Sequence, residues 1–232
     1  MSKKYKLTDE TINLNGATLY RIEALKDFGE IKKGDKGGFI ESENNLAHEG
    51  DAWVSGNAHV YGDACVFDNA RVYNNAFVSG YAQVYGNAFV YGNAWLYGNT
   101  RVCDYAWVAD NARVYGDANV CDDSSVFGSA LVYDNAHVYG DALVRGYACV
   151  CGDAEISNKS DYIVFQNWWS SGRYFTWTRS NNMWSVGCFY GTGEELIKKA
   201  YKDSELSGRE YERVVRYVES ILAEENLSKG TN

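Results

Sequence analysis

From Ala52 to Ile156 the chain repeats one pattern of apolar and polar positions every six residues. An aliphatic residue stands at 54, 60, 66 and each sixth position through 156, eighteen in all, and every one is Val except Leu96 and Ile156. Two positions before each stands a small residue, always Ala but for Thr100 and Ser124. An outward residue and a turn pair such as Gly-Asn, Gly-Asp or Asp-Asn fill the interval. In extended backbone neighbouring side chains face opposite ways, so Val points inward and its two flanks outward. Gly, Asn and Asp tolerate left-handed backbone, which lets the chain turn sharply in every hexad. Three hexads close a triangular coil of 18 residues, so the eighteen hexads predict six coils around a stack of valines. A solenoid of this kind needs its ends capped.

The flanks break the pattern. Residues 1–50 read as a β-rich N-terminal cap, in which INLNGATLYRIEAL (12–25) is a hairpin turning at Asn15-Gly16 and covering the open first coil. Residues 51–157 are the solenoid, and 158–232 a small α+β domain. In that domain the runs DYIVF, GRYFTWT and MWSVGCF predict three antiparallel strands, with turns near Ser170-Ser171-Gly172 and Ser180-Asn181-Asn182. Two helices follow, opened by capping boxes at Thr192 with Glu195 and at Ser207 with Glu210. Tyr211, Val214, Val215, Val218, Ile221 and Leu222 make one apolar face of the second.

Charge sharpens the division. The net charge is −9, and residues 51–157 hold four Arg, no Lys and twelve acids, which is −8. An acidic rod excludes direct duplex binding, since phosphate contacts need basic patches. The N-terminus lacks an apolar leader core and no apolar run nears the roughly 20 residues of a membrane span, so a bacterial cytoplasm is the expected location. Six Cys fall without any C-x-x-C spacing and read as reduced thiols, with Cys149 and Cys151 sharing one strand face.

The aliphatic-x-x-x-small-x unit, as in Val84-Tyr85-Gly86-Asn87-Ala88-Phe89, resembles the hexapeptide repeat of left-handed parallel β-helix proteins. Residues 19–54 resemble the N-terminal cap of bacterial and phage proteins loosely labelled transferases, and residues 173–201 a module often joined to such repeats in phage genomes. The resemblance implies a left-handed coil. It also raises an acyl-type transferase, or a zinc enzyme of the γ-carbonic-anhydrase type, as an activity to test on the residues. Such transferases use a His base and commonly a loop extruded from the coils. No hexad is interrupted here; His59 and His137 precede a Val and point outward on different sides, and His48 lies in the cap. A zinc site built from three converging His is not spaced for. No catalytic residue, cofactor or metal is therefore expected, and His137 near Arg101 and Cys121 is the nearest approach to a catalytic group.

Sorting outward positions by 18 gives three sides. One carries Tyr97, Tyr115 and Tyr133, with Tyr61 further back, beside Phe77, Trp95, Arg113 and Leu131. A second carries Tyr73 and Tyr91 beside Arg71, Phe89 and Trp107; the third is more polar. Two sides would show water a continuous aromatic sheet, more than a monomer ordinarily leaves bare, and Tyr, Trp and Arg are interface hot-spot residues. The candidate partner-binding residues are Trp95, Tyr97, Trp107, Arg113, Tyr115 and Tyr133, the corner acids Asp117 and Asp141, and Trp177 and Arg179 in the C-terminal sheet. The expected function is non-catalytic: a binding or scaffold protein that self-associates or meets a protein partner. The phage resemblance gives this the form of an inhibitor of a defence system such as a CRISPR effector, with the acidic rows mimicking nucleic acid. The alternatives are the transferase and a small-ligand receptor for nucleotides or sugars.

Overall fold

A computed structural model describes residues 3–169 and 171–229; Ser170, in one of the expected turns, lies outside them. The chain forms two compact units, Met1–Tyr162 with Arg179–Asn181, and Ile163–Thr178 with Asn182–Asn232. The first is a parallel β-solenoid with its cap; the second joins a small antiparallel sheet to two helices.

In the first unit β1 (Tyr5–Leu14) and β2 (Ala17–Ala24) pair antiparallel across the Asn15-Gly16 turn. Both turn residues have positive φ, 53° and 89°, as a two-residue hairpin requires. β2 then pairs antiparallel with β3 (Lys36–Ile40), and β3 pairs parallel with His59–Val60. One sheet thus runs from cap into solenoid. Leu46 makes a parallel bridge to Val66, and Ile40, Leu46 and Val54 are all buried. Ile40 and Leu46 complete a first turn with Val54, already the first of the eighteen, so twenty inward positions make a solenoid of about seven turns. Their spacing, six residues and then eight, keeps that turn out of the hexad pattern.

Eighteen two-residue strands follow, from β4 (Trp53–Val54) to β21 (Glu155–Ile156). All but the last three pair in register with the strand one coil on, as Leu96 does with Val114 and Val114 with Val132. The inward Val, Leu and Ile side chains are buried throughout. The second residue after each of them, from 56 through 152, is left-handed, whether Gly98 (φ 83°), Asn74 (φ 61°) or Asp104 (φ 57°). At Gly98 a Cβ would lie 2.8 Å from the Gly116 carbonyl oxygen, so close stacking adds to the conformational demand. Side chains then tie corner to corner. Asn75 Nδ2 donates to Asn93 Oδ1 (3.3 Å), Asn93 to Asn111 (3.2 Å), and the Asp110 and Asp122 carboxylates accept from the Gly128 and Gly140 N–H groups (3.1 and 2.9 Å). The acid of the repeat is therefore structural before it is anything else.

In the second unit, β22 (Tyr162–Gln166, of which all but Tyr162 belong to this unit), β23 (Tyr174–Thr178), β24 (Met183–Val186) and β25 (Phe189–Gly191) form one sheet in that order. Four strands replace the three expected, because MWSVGCF breaks at Gly187, whose φ is 60°. α1 (Gly193–Asp203) opens on the Thr192–Glu195 capping box. α2 (Glu205–Lys229) starts earlier than the pattern suggested: Ser204 Oγ accepts from the Ser207 N–H at 3.0 Å. Ser207 lies inside the first turn, and Glu210 pairs with Arg213 instead of capping. Phe175, Trp177, Trp184, Val186, Leu196, Val215 and Val218 form this unit's core. Among the described residues no helix is long and apolar enough to cross a membrane.

Candidate functional site

In-register coils stack identical outward positions one repeat apart, so rings on neighbouring coils lie face to face. Tyr97, Tyr115 and Tyr133 form a column with centroids 4.8 Å apart and planes within 2° of parallel. Tyr73 stacks on Tyr91 and Phe67 on Tyr85 in the same way, each at 4.9 Å. Beside the long column runs a second, from Phe39 through His59 and Phe77 to Trp95, where the Arg113 guanidinium sits 5.5 Å from the Trp95 ring centroid. The exposed apolar surface is smaller than the pattern implied, because stacked rings cover one another's faces. On the flat sides Trp95 (45% exposed), Tyr97 (40%) and Trp107 (47%) remain open.

Grooves lie over two positions where a small residue stands between rings, while on the third side Cys103 and Cys121 stand between Tyr85 and Tyr139. Register places Ser79 between Tyr61 and Tyr97, where a ring would otherwise stand. A cavity of about 570 Å³ lies over it, lined by Tyr61, Phe77, Ser79, Trp95, Tyr97 and Arg113, with Leu14 and Asn15 of the hairpin tip at its edge. Ala109 likewise separates Tyr91 from Phe127, and a groove of about 270 Å³ opens there beside Trp107, Asp110 and Ser125. Trp107 leans toward Tyr91 with centroids 6.2 Å apart, which makes this second groove the smaller.

The structure thus brings Trp95, Tyr97 and Arg113 together at the first groove, with Tyr115 and Tyr133 continuing the column, and puts Trp107 at the second. Asp117 is tied at a corner to Asn99 (2.8 Å), and Asp141 is exposed at another. Trp177 joins neither groove: it is buried in the small unit's core, with Nε1 donating to Asn182 Oδ1 at 2.9 Å. Arg179 donates from Nε to the Ser160 carbonyl at 3.1 Å. The open tryptophan of the small unit is Trp168, 82% exposed. Ser79 and Ala109 escaped the sequence reading, although the jump from Tyr61 to Tyr97 shows once outward positions are sorted by 18. The overhang of Leu14 and Asn15 had no sequence signal.

The histidines have other partners. His59 is sandwiched between Phe39 and Phe77 instead of standing free, and burial pulls its pKa down. His48 stacks on Tyr5 and accepts the Lys4 N–H at Nδ1. Asn119 stands in register between Arg101 and His137, its amide 3.2 Å from His137 Nε2. A cluster unmarked by the sequence reading is Cys103, Asp104 and Cys121, whose ligand atoms lie within 4.8 Å of one another. Burial pushes the Cys103 thiol up to about 12, so a soft metal ion would have to displace its proton.

The ladder also fixes a pH dependence. Burial, then the neighbouring Tyr97, push Tyr115 up to about 12, and a hydrogen bond with Cys103 and then burial do the same for Tyr85. Tyr73 and Tyr133 move in the same direction through burial. A phenol raised in the fold contributes stability that is fully present below pH 10 and lost as pH climbs toward about 12. Urea-unfolding midpoints should therefore fall across that window, with the Tyr85 and Tyr115 phenols ionising later than an ordinary tyrosine. A midpoint that is flat across it would contradict the buried ladder.

Coil repeat, corner chemistry and stacked outward columns together make this chain a parallel β-solenoid protein. The family model of the YdcK β-solenoid repeat matches residues 82–98, about one coil, which carries Trp95 and Tyr97. No curated protein matches the chain.

Proposed function

We propose that this is a non-catalytic binding protein that recognises its partner by stacking against the aromatic ladder. One observation carries the reading: the grooves at Ser79 and Ala109 each open where a small residue stands between two rings of a column. Local backbone does not require the replacement. Tyr precedes left-handed Gly at Tyr97-Gly98 and left-handed Asp at Tyr133-Asp134, the same contexts as Ser79-Gly80 and Ala109-Asp110. A planar group supplied from outside would complete each stack. An inhibitor that docks on a nucleic-acid-handling defence complex, as the phage resemblance implies, is one form such recognition takes, and self-association is another.

The test fills the gaps. Wild type and the double variant Ser79→Tyr, Ala109→Tyr are used as baits in nuclease-treated bacterial lysate, with an untagged copy of the chain added. A component, or the second copy, retained by wild type and lost by the filled variant supports the reading. Identical retention by both baits contradicts it.

A further inference from the structure

On the reading of the ladder as a binding surface, we infer that the Ser79 groove is a mononucleotide site, with the base inserted between Tyr61 and Tyr97 and the phosphate against Arg113. The slot fits one ring. Adjacent coils repeat at 4.8 Å in the ring columns, so positions 61 and 97 lie two repeats, about 9.6 Å, apart, and a planar group midway would take the place of the ring missing at Ser79. The cavity of about 570 Å³ extends well beyond that slot, leaving room for a sugar and a phosphate.

The polar groups select the class. Arg113 is the one charged residue lining the groove; its described contact is with the Trp95 ring, and no carboxylate pairs with it among the described residues. An unpaired guanidinium held by a ring favours an anionic group on the ligand. Asn15 at the rim offers an amide with both donor and acceptor, and Ser79 at the floor offers a hydroxyl, which suits the polar edge of a nucleobase better than a plain phenyl ring. Stacking on tyrosine faces discriminates little between bases, so the class is nucleoside monophosphates and not one base. The acidic corners argue for a free nucleotide over a strand: residues 51–157 carry −8, and further phosphates would run along those rows. The Ala109 groove makes the contrast, since it has an aromatic gap but Asp110 in place of a cation. The small unit's cleft, about 50 Å³ between Arg173 and Lys199, is too small for such a ligand.

Calorimetric titration of the full chain with adenosine monophosphate, adenosine, inorganic phosphate and a short oligoadenylate tests this. Expected is saturable binding of the monophosphate in the roughly 10 µM to 1 mM range, adenosine about tenfold weaker, and no binding of phosphate alone. Ser79→Tyr, which occupies the slot, should abolish binding; Arg113→Gln should weaken the monophosphate about tenfold and leave adenosine unchanged. Trp168→Ala, on the small unit, should change nothing. Failure of wild type to bind the monophosphate, full binding by Ser79→Tyr, or tighter binding of the oligonucleotide would each overturn the mononucleotide site. The filled-gap bait experiment separates the two claims. Partner loss there without nucleotide binding here leaves the ladder reading standing and removes this one.

Discussion

Val114→Asp abolishes the folded solenoid. Val114 is fully buried and pairs in register with Leu96 and Val132, so a carboxylate there enters a stack whose neighbours above and below are apolar. No cation reaches it from inside the coil, because charged residues of the repeat stand on the sides and at the corners. An unpaired buried charge costs roughly 4–5 kcal/mol, which consumes most of the stability of an ordinary domain. Because each coil contacts only its neighbours, a failed layer also separates the coils on either side of it. Circular dichroism should show loss of the β signal and of the cooperative melt. Val114→Thr keeps the shape and adds a hydroxyl, and should cost only about 1–3 kcal/mol. Equal stabilities for the two variants would mean that the valine stack is not the core.

Trp184→Ala melts the second unit and spares the first. Trp184 is 2% exposed, lies in register with Trp177 across β23 and β24, and belongs to the core that holds Leu196 and Val215 of the two helices. Truncating a buried Trp costs about 3–5 kcal/mol, and a unit this small has little more than that in reserve. The helical signal should disappear at low temperature while the solenoid retains its own transition. A single shared transition, shifted as a whole, would contradict two separate cores.

The sequence carried the solenoid almost completely, and the reason is redundancy. A Val displaced by one position would face outward, so eighteen hexads without a slip leave one arrangement. The hairpin and the first capping box were legible because Asn15-Gly16 and Thr192–Glu195 are local signals with fixed geometry. The misses share the opposite property. The turn at Ile40, Leu46 and Val54 is spaced six and eight, so no period reveals it. The break at Gly187 is one residue in an otherwise continuous apolar run. Ser204 outcompetes Ser207 as a cap because the chain leaves α1 at that residue. The aromatic columns could be listed from the sequence, yet the site is the position where a column lacks its ring. A search for conspicuous residues passes over a serine. Trp177 is the reverse case: it is conspicuous in the sequence and buried in the fold.

The central claim is that the gap at Ser79 serves binding and is not demanded by packing. Thermal unfolding of Ser79→Tyr tests this without any ligand. A ring at 79 would stack on both Tyr61 and Tyr97, and each new pair is worth about 0.2–1 kcal/mol. For a unit of this size the melting temperature should rise by about 2–4 °C, so the native chain gives up stability to keep the slot open. A fall in melting temperature would show that the fold itself requires the small residue, and would remove the ground for reading the groove as a site.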